Sequence, residues 1–166
     1  MNYGLYIHIP FCVKKCIYCD FLSFNSFDIH EKDKYKYFHA LEEDWYTKLN
    51  ILNPGDHIDS IYIGGGTPSL VDPFYIDTLL RVIKSDIYVT KNAEITIEVN
   101  PGTVDIDKLE KYVSSGINRI SIGVQSTQDR LLRSLGRIHN ASDCEETFKM
   151  AKEAGFRNIS CDLILG

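Results

Sequence analysis

The sequence predicts an α/β protein built on a parallel sheet, open or closed into a barrel. Three observations point there. Strand-like and helix-like segments alternate along the chain, and repeated βα units with right-handed crossovers give parallel sheets. The strand-like segments alternate aliphatic with polar residues, so one face of the sheet is greasy and the other is not. Two helix-to-strand passages echo each other: Gly116-Ile-Asn-Arg-Ile-Ser121 and Gly155-Phe-Arg-Asn-Ile-Ser160. That is a weak internal repeat of one αβ unit.

In order, the expected strands are Leu5–Ile9, Ser60–Ile63, Glu94–Val99, Arg119–Val124 and Asn158–Leu165. The first helix is expected over about 31–50, where Phe38, Leu41, Trp45 and Leu49 form one apolar stripe. The second covers roughly 73–86, with Ile76, Leu79, Leu80 and Ile83 inward. The third lies near 105–115. The fourth begins near Ser142, where Ser142 and Glu145 read as a capping box. Gly116 and Gly155 stand where helix C-caps belong.

Parallel strands covered on both faces read as nearly continuous apolar runs. These do not. Tyr6 and His8 oppose Leu5, Ile7 and Ile9, and Thr96, Glu98 and Asn100 oppose Ile95, Ile97 and Val99. Ser121, Gly123 and Gln125 oppose Ile120, Ile122 and Val124, and Ser160 and Asp162 oppose Ile159, Cys161 and Leu163. Helices should cover the aliphatic face. The polar face should line a wet or ligand-filled cavity, unlike the packed interior of a standard eight-stranded barrel.

Composition sets the outer limits. With 166 residues, 44% hydrophobic and 25% charged, the chain can bury one substantial core. A net charge of −5 argues against a nucleic-acid surface. The first ten residues lack a basic region followed by a long apolar run, so no signal peptide is visible. No stretch is long and apolar enough to span a bilayer. The reading is a cytoplasmic, thiol-reducing environment. The chain ends on a strand, which would leave a poorly protected sheet edge. The expectation is the N-terminal part of a longer protein.

The chemistry concentrates in a few places. Cys12, Cys16 and Cys19 form C-x3-C-x2-C directly after the first strand. Three thiolates on one loop can hold three irons of a 4Fe-4S cluster and leave the fourth open to a ligand. A structural zinc site usually takes four ligands, often as two C-x2-C pairs, and a disulfide framework suits a small secreted chain. Cys144 and Cys161 are isolated and read as small buried apolar residues.

Gly64-Gly65-Gly66-Thr67-Pro68 follows the second strand and allows close backbone approach to a ligand. It has neither the spacing of a dinucleotide fingerprint nor the Gly-Lys of a Walker loop. Glu98, Gln125 and Asp162 fall on the polar face near strand ends, where they can bond ribose hydroxyls. Arg137 can pair with a ligand carboxylate through a bidentate fork. The plainer alternatives are an internal salt bridge for the carboxylates and a surface ion pair for Arg137.

Ile9-Pro-Phe-Cys-x3-Cys-x2-Cys-Asp-Phe21, Gly64-Gly-Gly-Thr-Pro-Ser69, Glu98-Val-Asn-Pro101, Arg119-Ile-Ser-Ile-Gly-Val-Gln-Ser126, Leu135-Gly-Arg-Ile-His139 and Asp162-Leu-Ile occur in that order. Together they resemble the radical S-adenosylmethionine (radical SAM) superfamily. Within it they resemble the group of oxygen-independent coproporphyrinogen III oxidases and HemW-type heme chaperones, from Tyr3 to Gly166. The resemblance implies part of a parallel (βα)6-type barrel, about five strands of it, with residues 1–166 as the N-terminal portion of the radical SAM core domain. The remaining barrel and a C-terminal domain are expected beyond.

It further implies that Cys12, Cys16 and Cys19 ligate a 4Fe-4S cluster and that S-adenosylmethionine chelates its open iron. Tyr6, Tyr18, Gly65, Gly66, Thr67, Glu98, Gln125, Arg137 and Asp162 match cofactor-contacting positions of the oxidases. An electron from the reduced cluster then cleaves the sulfonium to methionine and a 5′-deoxyadenosyl radical, and that chemistry belongs to the cofactor. No single residue is assigned as catalytic. The oxidases carry a further cysteine two residues after the third ligand, and here that position is Phe21. This resembles the heme-chaperone branch. The implied partners are heme or porphyrin, an electron donor such as flavodoxin or ferredoxin, and heme-accepting respiratory proteins, with peripheral membrane association during delivery. The alternative is the oxidase, converting two propionates of coproporphyrinogen III to vinyls.

Overall fold

The computed structural model describes residues 1–25 and 28–165; Gly166, where the resemblance ends, lies outside them. Five parallel strands form the main sheet: β1 (Asn2–Ile9), β4 (His57–Gly65), β5 (Val89–Val99), β6 (Arg119–Gln125) and β7 (Asn158–Leu163), in that spatial order. A two-residue parallel pair, β2 (Phe11–Cys12) with β3 (Phe24–Asn25), closes the cysteine loop at its base. The helices are α1 (Glu31–Leu49), α2 (Pro73–Asp86), α3 (Ile106–Ser114), α4 (Asp129–Ser134) and α5 (Ala141–Glu153).

The aliphatic face of the sheet is the core. Ile7, Ile61, Ile63, Ile97, Ile120 and Ile122 are buried there against Phe38 and Trp45 of α1, Leu80 and Ile83 of α2 and Leu109 and Tyr112 of α3. Each fully buried aliphatic side chain contributes about 1.5–3 kcal/mol by leaving water, which is what fixes strand register here. The opposite face keeps its polar residues, as the alternation requires.

The helix ends follow local chemistry. Asp72 caps α2 by accepting from Phe74 N at 2.9 Å, and Pro73 occupies the first turn, where its missing N–H costs nothing. Gly116 (φ +90°) and Gly155 (φ +105°) end α3 and α5 in Schellman geometry. Ile117 N reaches Tyr112 O and Phe156 N reaches Ala151 O. The echoed passages that follow lie side by side in register, Arg119 beside Asn158 and Ser121 beside Ser160.

Several expectations need correction. The cap of α5 is Asn140 with Asp143, not Ser142 with Glu145. Asn140 Oδ1 accepts from Asp143 N at 3.0 Å while Asp143 accepts from Asn140 N at 2.8 Å, so the cap lies two residues earlier. The strands β1, β4 and β5 begin earlier than expected, and β7 stops at Leu163. The short α4 and the β2–β3 pair carry too little periodicity to be read from the sequence. Cys144 is buried, but Cys161 is exposed, because it sits on the edge strand β7.

Candidate functional site

A cavity opens at the C-terminal ends of the strands, with about 960 Å³ of space that is partly open to solvent. Cys12, Cys16 and Cys19 line one side of it. The loop that carries them is tied down at several points. Gly66 N donates to Ile9 O at 2.8 Å, and Thr67 N donates to Phe11 O at 2.7 Å. His8 Nε2 bonds Leu22 O at 2.9 Å, which pins the returning arm. A carbonyl only accepts, so Nε2 carries the proton, leaving Nδ1 to face the Tyr6 hydroxyl at 3.0 Å.

The glycines of the second loop are there for space. A Cβ on Gly65 (φ +117°) would sit 2.6 Å from the His8 ring, and one on Gly66 would sit 2.8 Å from Phe11 O. The N–H of Gly65 is already given to Glu98 Oε2 at 3.1 Å. The N–H groups of Gly65, Gly66 and Thr67 are thus held within the protein and are not free for a ligand carboxylate, although the sequence alone leaves that role open to them.

Glu98 accepts from Tyr62 and from Gly65 N, and neither partner is charged. Burial holds its proton affinity above the ordinary glutamate range, against the opposing effect of those two bonds. Asp162 accepts from Ser121 Oγ at 3.1 and 3.0 Å. Neither carboxylate forms an ion pair among the described residues, so the salt-bridge alternative does not describe them.

Arg137 reaches the cavity because Gly136 (φ +78°) ends α4 in a third Schellman turn, with Arg137 N bonded to Leu132 O. Its guanidinium is not in a surface ion pair. Nη2 donates to Gly123 O at 2.7 Å and to Asn100 Oδ1, and Nη1 donates to Cys16 Sγ at 3.7 Å. Nε is buried with no partner. A buried, unsatisfied donor on a cationic group is costly, and an anionic ligand would relieve it.

Gln125 is the non-glycine residue with positive φ (+65°) among the described residues. Ser126 N bonds Val124 O across it at 2.8 Å, a γ-turn that aims the amide over Gly123. Tyr18 stands on the cavity wall, half-exposed, and burial raises its pKa while Arg137 opposes the rise. His139, missed as a wall residue, is buried, and its proton affinity is lowered by burial and by Arg137. Tyr6 is not brought to the wall. It lies farther down the polar face, half-exposed and stacked with Tyr62 at 6.2 Å.

Sequence reasoning omits Tyr62, and it places Ser121 and Asn100 on the polar face without giving either a role. Tyr62 lies between Ile61 and Ile63, so strand alternation places it on the polar face and could have revealed it.

The arrangement can hold a ligand that is anionic at one end and rich in hydroxyls at the other. It also presents three thiols. Among the described residues no three His, Cys, Asp or Glu side chains converge on one ion. A cubane instead binds its thiolates at separate corners, and three cysteines on one loop suit it.

A profile of the radical SAM superfamily matches residues 6–166. The chain belongs to that superfamily, whose members hold a 4Fe-4S cluster and S-adenosylmethionine. It is 45% identical to the heme chaperone HemW of Haemophilus influenzae, covering 98% of this chain and 43% of that one. It is 42% identical to the HemW of Escherichia coli, over 98% of this chain and 42% of the relative. The chain thus spans less than half the length of these relatives. Among solved structures, the coproporphyrinogen III oxidase HemN of Escherichia coli superposes with a TM-score of 0.86 at 30% identity, covering 98% of this chain and 37% of that one. The five-stranded sheet is therefore a fragment of a radical SAM barrel.

Proposed function

We propose that this chain is the N-terminal part of the radical SAM core of a heme chaperone, which carries a 4Fe-4S cluster on Cys12, Cys16 and Cys19. When bound, the cluster and S-adenosylmethionine supply one-electron cleavage of the sulfonium. The chain's own residues bind and orient. Arg137 takes the cofactor carboxylate on its unpartnered Nε–H. Glu98, Gln125 and Asp162 hold hydroxyls of the nucleoside, with Tyr18, Gly65, Gly66 and Thr67 shaping the pocket between. Tyr6 supports this wall through His8 and Tyr62.

The observation that carries the chaperone reading is Phe21. It stands on the cavity wall, more than half exposed, where the resemblance places a cysteine in the oxidases. The names of the HemW relatives point the same way. Heme is then the cargo, an electron-transfer protein such as flavodoxin or ferredoxin the donor, and respiratory heme proteins the acceptors. Among the described residues no helix is long and apolar enough to cross a membrane. The proposed location is the cytoplasm, with peripheral membrane contact during delivery. The test is heme binding and transfer to an apo acceptor by purified full-length protein, followed by absorbance. Absence of both binding and transfer would overturn the reading.

The backbone match to HemN keeps the oxidase as a second reading. Anaerobic turnover of coproporphyrinogen III to protoporphyrinogen by protein with an intact cluster would establish it.

A further inference from the structure

The cavity wall contains one continuous run of side-chain hydrogen bonds, and both of its ends are cysteine sulfurs. Arg137 Nη1 donates to Cys16 Sγ at 3.7 Å, and Nη2 donates to Asn100 Oδ1. Asn100 Nδ2 lies 2.8 Å from Thr67 Oγ1, and Thr67 Oγ1 lies 3.6 Å from Cys12 Sγ.

Chemistry fixes the direction of each bond. A guanidinium only donates, so Asn100 must turn its oxygen to Arg137. The other end of the amide is then NH2, which donates to the Thr67 oxygen. The Thr67 hydroxyl proton is left to point at Cys12. A metal-bound thiolate only accepts, which completes the run. The backbone holds Asn100 in place: its N–H bonds Ser69 Oγ at 3.3 Å, and its carbonyl accepts from Thr103 N and Oγ1. Gly123 leaves the room, since a Cβ there would lie 2.8 Å from Asn100 Oδ1 and 3.2 Å from Arg137 Nη2.

We infer that Asn100 is a positioning residue for the cluster: it orients donors onto the Cys12 and Cys16 sulfurs and so raises the reduction potential. Reduction adds one electron to the cluster. Donor hydrogen bonds and a nearby cation stabilise the more negative state, and hydrogen bonds to sulfur are a recognised lever on Fe–S potentials. The inference rests on Cys12 and Cys16 being cluster ligands. Iron content of their alanine variants tests that assignment separately.

The experiment is an EPR-monitored redox titration of anaerobically reconstituted full-length protein without S-adenosylmethionine, so that ligand binding does not enter. Asn100→Ala and Thr67→Val should lower the midpoint potential at undiminished iron content. Thr67→Ser, which restores the hydroxyl, should return it to the parent value. Unchanged potentials in both Asn100→Ala and Thr67→Val overturn the inference, as does Thr67→Ser titrating with Thr67→Val. If Asn100→Ala loses iron, the two Thr67 variants decide. In resonance Raman spectra the deuterium shift of the Fe–S(Cys) bands should be smaller in Thr67→Val than in the parent and Thr67→Ser. Equal shifts in all three count against the inference.

Discussion

Tyr62 donates its phenol proton to Glu98 Oε1 at 2.8 Å, from one parallel strand to the next. The bond favours the carboxylate, yet burial outweighs it, and Glu98 holds its proton more tightly than an ordinary glutamate. Asp162 adds repulsion, and His8 opposes it. Tyr62 is in turn pushed well above the tyrosine range, by burial first and then by Glu98.

The sign of the pH effect follows. A carboxyl whose pKa is raised on folding binds more protons in the native state than in the unfolded one. Stability therefore falls as pH rises from the unfolded value of about 4.3 through the folded one, and the penalty is complete above it. Glu98→Gln removes that penalty. The variant should gain stability relative to the parent at pH 7 and lose that gain near pH 4, as read by urea unfolding at both. It should bind S-adenosylmethionine about 10-fold or more weakly, the usual scale for a lost hydrogen bond to a charged group. A variant equally destabilised at both pH values would show that burial of the charge does not govern this position.

Gly66→Ala and Gly55→Ala separate crowding from backbone strain. At Gly66 a methyl would press within 3.0 Å of Phe11 O, Ile9 O and Cys12 Sγ, two of them backbone atoms that cannot swing aside. We expect a loss of about 1–3 kcal/mol or more from overpacking, together with a weakened cysteine loop. Gly55 has positive φ (+92°) but open space around it, so alanine should cost only about 1–2 kcal/mol of strain and leave iron content unchanged. Iron assay and thermal unfolding read both.

Cysteine variants divide by place. Cys12→Ala, Cys16→Ala and Cys19→Ala should each abolish the cluster signal, because all three line the cavity. Cys144 is a buried residue of α5 and donates to Asn140 O at 3.4 Å. Cys144→Ala should keep the iron and lose about 1 kcal/mol, typical of a small core truncation. Iron retained in Cys16→Ala and lost in Cys144→Ala would reverse the assignment.

Sheet and cavity were legible in the sequence for one reason: side chains alternate along a strand. Ile95, Ile97 and Val99 announce the core, and Glu98 between them announces the other face. Gly116 and Gly155 were legible because few residues other than glycine adopt positive φ at a helix end. The rest depends on contacts distant in sequence. The Asn100–Thr67 bond joins residues 33 apart, and the Arg137–Cys16 contact joins residues 121 apart. Occupancy of the glycine-loop N–H groups by Ile9, Phe11 and Glu98 leaves no local trace either. The α4 helix is six residues long, too short for periodicity to show, yet its final glycine turn aims Arg137.

At Gln125 stability and binding should move apart. Its φ of +65° lies in the left-handed region, which costs a non-glycine residue about 1–2 kcal/mol. Such strain collects at functional sites. Glycine would relieve it while giving back about 0.5–1 kcal/mol of unfolded-chain entropy. The backbone role survives substitution, because Gln125 O accepts from Ile164 N at 3.0 Å whatever the side chain. Gln125→Gly should therefore be as stable as the parent or up to about 1.5 kcal/mol more stable in urea unfolding, while binding S-adenosylmethionine about 10-fold more weakly. Gln125→Val, β-branched at positive φ, should lose both. If Gln125→Gly lost stability along with binding, the amide would be bracing the strand end, and the strain would have a structural purpose instead of serving a ligand.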